Sequence, residues 1–224
     1  MKDKLTKHLP PNVPAERPGP HGGKRDANRR EKVQRLCDAS LELFCDRGVA
    51  SVTIDEVVAK ANVSKGSFYR YFSGKEELVE TIFAPLAKSL QEAFANTKNA
   101  LEGPLSSEDL TREYVRLATA LASLLVSNLS ILRLYLQENR GPDAGSRRPI
   151  IRVARDIEAI AITLTKVARD QGLLLRNYDL TVQALTSLGA VERLLFAYVR
   201  GDELPSPARV SADLIGVILD GMRA

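Results

Sequence analysis

The sequence predicts an all-α fold. Apolar residues recur at spacings of three and four through most of the chain beyond residue 28. No stretch alternates with period two, and no Gly-bounded run of β-branched residues marks a strand. Apolar residues make up 44% of the 224 positions, aromatics only 5%, and Trp is absent. The core must therefore rest on Leu, Val, Ile and Ala, which suits helix packed on helix.

Residues 1–27 carry Pro10, Pro11, Pro14, Pro18 and Pro20 with Gly19, Gly22 and Gly23, and read as a disordered or extended basic tail. From about Asn28 the pattern turns helical, with Val33, Leu36, Cys37, Leu41, Phe44 and Cys45 on one face and Gly48 as the stop. Thr53 with Glu56 is a capping box and places a second helix start at Thr53, with Val57, Val58 and Ala61 buried. A tight turn follows at Ala61–Val63, and Ser64 opens a third helix that runs through Phe72. Ser73, Gly74 and Lys75 break it, and a fourth helix is expected from about Lys75 to Ala95. Pro85 inside that helix should kink it or mark a local irregularity. Residues 96–107 read as a loop. Further helices are expected from about Glu108 to Val126, from the Asn128–Ser130 step to near Asn139, and from Ile150 to Asp170. Two more span about Asp179 to Arg200 and Ala208 to Leu219, which makes about nine helices in all. The domain reading is a tail over 1–27, a helix-turn-helix domain over 28–74, and a second helical domain over 75–224.

The formal net charge is +4, which permits a polyanionic partner without requiring one. The distribution says more. Lys24, Arg25, Arg29, Arg30, Lys32, Arg35, Lys65, Arg70 and Lys75 crowd the first third, while the remainder is close to neutral. No nucleophile elbow, metal-ligand cluster or phosphate-binding glycine loop occurs, and both histidines, His8 and His21, fall in the tail. An enzyme is not indicated, and no cofactor or metal is implied. Cys37 and Cys45 lie about 12 Å apart along one helix and cannot pair. They read as small core residues, with redox sensing as the alternative. No signal peptide or membrane-spanning run is seen, and a cytoplasmic setting is expected.

Residues 53–72 carry the strongest functional signal: a capped helix, a tight turn and a second short helix. The second helix presents Ser64, Lys65, Ser67 and Arg70 on its polar side, and Phe68 is the apolar residue that would pin it to the first. Leu43-Phe44, Gly48, Thr53, Ile54, Val57, Ala61, the run Asn62 to Tyr69, Tyr71-Phe72 and Lys75 to Leu78 closely resemble the DNA-binding signature of the TetR family of one-component regulators. The resemblance covers roughly residues 29–80.

That resemblance implies a homodimer of all-helical subunits, with a DNA-binding N-terminal domain and a C-terminal domain for ligand binding and dimerisation. It implies a bacterial transcriptional regulator, most often a repressor released from a palindromic DNA operator by a small molecule. By the same resemblance Lys65, Gly66, Ser67 and Arg70 stand where bases are met, with a phosphate clamp as the alternative for Arg70. Thr53, Tyr69, Tyr71 and Lys75 stand where the DNA backbone is met, with a solvated helix start as the alternative for Lys75. Asn62 replaces the more usual Gly of the turn, and Asn tolerates the left-handed conformation that the turn needs. Lys24, Arg25, Arg29 and Arg30 could form a minor-groove arm or a solvated basic flank.

The second domain shows organisation rather than chemistry. A pocket there would be mostly apolar, suited to an apolar or amphipathic effector, with Tyr114, Asn128 and Tyr135 as candidate polar anchors. Each of these could instead be surface or a satisfied core group. Leu185, Leu188, Val191, Glu192, Leu195 and Phe196 form a wide face with the small Gly189, and Ile215 and Ile218 offer a second. These faces are the candidate dimer interface, or else they close one subunit's core. The rival overall reading is a dimeric helical DNA-binding or protein-interaction module without small-molecule control.

Overall fold

Capping chemistry decides where the helices begin. The computed structural model describes residues 24–101, 105–172, 174 and 177–222. The Pro-rich stretch before them, with His8 and His21, lies outside the described residues. Helix α2, Ile54–Ala61, starts at Thr53, whose hydroxyl accepts from the Glu56 N–H at 3.3 Å. The Glu56 carboxylate closes the box by accepting from the Thr53 N–H at 2.8 Å. Helix α3, Lys65–Tyr71, starts at Ser64, which accepts from the Ser67 N–H at 3.2 Å. Between them Asn62 takes φ 50°, ψ 52°, the only left-handed non-glycine among the described residues. The turn survives without glycine for the reason the sequence suggested.

Helix α1, Lys24–Arg47, begins four residues before the expected Asn28. Asp26 in its first turn pairs with Arg29 and Arg30, which steadies the helix N-terminus. Helix α4 runs Lys75–Ala100 with Pro85 inside, further than the expected end at Ala95. The extension through Asn96–Asn99 defies local propensity. Thr97 and Leu101 are both buried there, and tertiary packing overrides the weak helix formers. The rest are α5 Ser107–Val126, α6 Leu129–Glu138, α7 Arg148–Asp170, α8 Leu180–Arg200 and α9 Pro207–Met222. Asp179 caps α8 by accepting from Thr181 and Val182 N–H groups, and Gly201 ends it at φ 89°.

The described residues form two compact units. The first comprises the chain through Ala87 together with Asn128–Val153, and the second comprises Lys88–Ser127 and everything from Ala154. The sequence division at residue 74 assigned α6 to the second domain, whereas α6 packs on α1 within the first unit. In that unit α1 also packs on α2, and α2 on α3. Its core holds Leu36, Phe44, Phe68, Phe72, Leu78 and Ile131, all fully buried. Cys37 and Cys45 are buried there too, and burial pushes the Cys45 thiol up to about 11. In the second unit α5 packs on α9 and α9 on α8. Its core gathers Leu101, Leu110, Leu117, Leu164, Ala168 and Leu174.

The loop between α1 and α2 is held from two sides. The Lys75 ammonium donates to the carbonyls of Val49 at 2.6 Å, Val52 at 2.7 Å and Ala50 at 3.3 Å. The buried Glu138 carboxylate, at the end of α6, accepts from the Val49 N–H at 2.9 Å and pairs with Arg147. Gly48 ends α1 at φ 81°, and a Cβ there would lie 2.8 Å from Glu138 Oε1. Gly48→Ala is therefore expected to lower unfolding free energy by about 1–3 kcal/mol in urea denaturation. An unchanged midpoint would show that Glu138 does not close that space.

Candidate nucleic-acid interface

Helix α3 is sorted by burial along its length. Phe68 is fully buried and packs against Phe72 with the rings tilted and their centroids 5.4 Å apart. That burial fixes which way the short helix rolls. Lys65, Gly66 and Arg70 are consequently exposed and Ser67 half-buried, so the four candidate base-reading residues share the outer side of the helix. A Cβ built on Gly66 would meet nothing within 4 Å, so no packing inside the subunit demands glycine there. Tyr69 is 53% exposed and Tyr71 half-buried.

The cations differ in what already holds them. Arg70 is exposed and, among the described residues, has neither an ion-pair nor a hydrogen-bond partner. The Lys65 ammonium lies 2.7 Å from Asp55 Oδ1 on α2, and that contact raises its pKa. Arg35 is turned inward, donating to the carbonyls of Ala61 at 2.6 Å and Asn62 at 2.9 Å. It neutralises the negative C-terminal end of α2 and locks the turn. Arg47 pairs with Glu56 at 2.7 Å, and this with the Thr53 donors holds the Glu56 carboxyl down to about 2.

Lys75 corrects the sequence reading. An ammonium has three N–H donors, and Lys75 faces three loop carbonyls. Burial lowers its pKa. It serves the loop and has no donor to spare for a phosphate. Thr53 is similarly engaged: its N–H and hydroxyl both donate to Glu56. The proposed arm is also not a tail preceding the first helix. Lys24, Arg25, Arg29 and Arg30 all lie inside α1. The side chains of Lys24 and Arg25 lie outside the described set, and Arg29 and Arg30 pair with Asp26.

The candidate pocket anchors are not gathered in one unit. Tyr114 belongs to the second unit, where its hydroxyl donates to the Leu164 carbonyl at 2.6 Å and burial raises its pKa. Asn128 and Tyr135 are buried in the first unit. Of the candidate interface residues, Leu185 and Phe196 are 44% and 48% exposed, while Leu188, Val191, Glu192 and Leu195 are half-buried. Ile215 turns the other way and packs on the second unit's core; Ile218 is half-buried. Two exposed apolar residues lie outside the faces expected from the sequence: Val182, 60% exposed, and Val217, 73% exposed. Val182, Leu185, Gly189, Glu192 and Phe196 follow alternating spacings of three and four, a seam that the sequence already carried. Among the described residues no group of three or more His, Cys, Asp or Glu could hold a metal ion, and no single helix is long and apolar enough to cross a membrane.

Known proteins resemble this chain in sequence and in fold. A family model described as bacterial regulatory proteins, tetR family, matches residues 36–82, which hold α2 and α3. The uncharacterized HTH-type transcriptional regulator TtgW of Pseudomonas putida is 37% identical over 71 residues, 32% of this chain and 53% of that protein. The transcriptional regulator AcuR of Cereibacter sphaeroides is 36% identical over 114 residues, 49% of this chain and 48% of that one. The chain thus spans about half the length of these relatives. Among solved structures, the regulator FadR of Bacillus subtilis, in complex with stearoyl-CoA, superposes with a TM-score of 0.64 at 15% identity, covering 84% of this chain and 98% of that one. That likeness extends the common fold well beyond the helix-turn-helix. With the signature residues, the cap and the turn in agreement, residues 36–82 carry the DNA-binding region of the tetR family of bacterial regulatory proteins, within a chain that shares the overall fold of solved regulators of that type.

Proposed function

We propose that the chain works as a homodimer that represses transcription from a palindromic operator and leaves it when a small apolar or amphipathic ligand binds. The match of residues 36–82 to the tetR family model supports a DNA-binding regulator. The observation that carries the finer reading is the sorting of α3, with Phe68 buried and Lys65, Gly66 and Arg70 exposed on the side that would enter a major groove. Arg70 and Lys65 suit guanine O6 and N7, the commonest specific contact, and Gly66 lets the helix backbone come close to the bases. Tyr69 and Tyr71 flank that edge and reach the sugar-phosphate backbone.

A second copy is the natural cover for α8 and α9. Val182, Leu185, Phe196 and Val217 are large apolar side chains left exposed in the single chain. A two-fold partner would bury it and set two recognition helices about 34–36 Å apart, one turn of DNA. Effector control fits the second unit, whose core is apolar with Tyr114 as a polar member. The fold is shared with FadR, which holds stearoyl-CoA, so a long apolar ligand is compatible with it. Helices α4 and α7 each run from one unit into the other and supply the route for coupling. Coupling requires that the ligand bind the DNA-released state more tightly than the DNA-bound state.

The reading is tested by anisotropy titrations on genomic fragments captured by the purified protein. Gly66→Ala should raise thermal stability slightly, since Ala is the better helix former by about 1 kcal/mol, yet weaken fragment binding at least tenfold. Equal binding would remove α3 from the bases. Arg70→Ala should lower affinity and flatten the salt dependence of binding if it meets phosphate, or relax sequence preference if it meets a base. Lys75→Met should instead cost about 1–3 kcal/mol of stability with the salt slope unchanged, because the loop carbonyls lose their donor. Val217→Glu should give a monomer in sedimentation and abolish tight fragment binding; a folded dimer would place the interface elsewhere.

A further inference from the structure

One carboxylate on the helix-turn-helix takes no part in capping its helices. Asp55 sits in the first turn of α2 beside Glu56, but only Glu56 makes the capping bonds. The Asp55 side chain is 69% exposed, and its Oδ1 reaches across the turn to the Lys65 ammonium, 2.7 Å away at the first residue of α3. An acid in the first turn of a helix is ordinary, because the helix dipole favours it. The dipole does not explain a contact aimed at the neighbouring recognition helix. The other acidic partners in this region hold cations away from α3: Glu56 holds Arg47, Glu42 holds Lys60 and Asp26 holds Arg29 and Arg30.

Pairing changes what Lys65 can do with DNA. A free lysine gains from any phosphate, because each phosphate neutralised releases a condensed counterion. A lysine already neutralised by a carboxylate gains little from that exchange, and the carboxylate is itself repelled by the phosphates. An acceptor pair on a guanine edge offers the ammonium a fixed site that random DNA offers only by chance. We propose that Asp55 is a specificity-determining residue, holding the Lys65 ammonium off the phosphates so that it is released only at a matching base edge. The device works by penalising the wrong DNA rather than by strengthening the right one. It rests on the reading of α3 as the recognition helix.

The experiment compares binding of the full-length protein to a duplex selected by the wild type and to a random duplex of equal length, over a range of salt. Four forms are measured: wild type, Asp55→Asn, Lys65→Ala and the double variant. Asp55→Asn is expected to tighten random-duplex binding about two- to fivefold, the worth of an exposed ion pair. It should steepen the log-log salt slope by about 0.9 and change selected-duplex binding less, so that discrimination falls. In the Lys65→Ala background the same substitution should change neither affinity nor slope. An equal gain in that background would show general charge repulsion and overturn the proposal. So would an unchanged random-duplex affinity, or a loss confined to the selected duplex, which would make Asp55 a base reader itself. A wild type that cannot tell the duplexes apart overturns the recognition-helix reading and this proposal with it, whereas the other failures overturn the proposal alone.

Discussion

The carbonyls of the α1–α2 loop meet a single ammonium, and much of the DNA-binding unit follows from that contact. Lys75 gathers the Val49, Ala50 and Val52 carbonyls, and Glu138 takes the Val49 N–H from the other side. A buried backbone group without a partner costs about as much as a lost hydrogen bond, so this loop keeps its path only while both side chains are present. The path sets where Thr53 stands, and Thr53 with Glu56 starts α2. Arg35 then closes the far end of α2 on the Ala61 and Asn62 carbonyls, and the turn delivers α3 with Phe68 inward. The outer face of α3 is thus the last link of a chain of satisfied backbone groups.

The same economy divides the positive charge. The basic first third of the chain looks like one long electrostatic footprint, but several of its described cations have structural duties. Lys75 and Arg35 hold carbonyls, and Arg47 and Lys60 hold carboxylates. What faces outward from α3 is Arg70, free, and Lys65, held by Asp55. A count of lysines and arginines overstates the charge available for DNA, and the pairing pattern is the better guide to which residues read it.

Local chemistry was legible in the sequence, and long-range chemistry was not. The Thr53–Glu56 box, the left-handed Asn62 and the buried Phe68 are each decided within a few residues, and the structure has all of them. The clasp on the loop joins Val49 to Glu138, far apart in the chain, and no local pattern pairs them. Lys75 looked like a helix-start cation because its burial depends on that loop. The end of α4 was placed early because Gly103 and Pro104 marked a loop and Asn96, Thr97 and Asn99 are weak helix formers, while Thr97 and Leu101 are buried by tertiary packing. On α9 Ile215 packs on the second unit's core, Ile218 is half-buried and Val217 is the exposed residue, a difference set by packing that periodicity alone does not give.

The central claim is that two copies of α3 read two half-sites of one operator. Selection of bound sequences from a random DNA pool with the purified protein addresses it directly. The account predicts an enriched two-fold palindrome whose half-sites are centred about one helical turn apart, 10–10.5 base pairs or a small multiple of that. A folded, dimeric protein that enriches no sequence, or only a single unrepeated half-site, would contradict it.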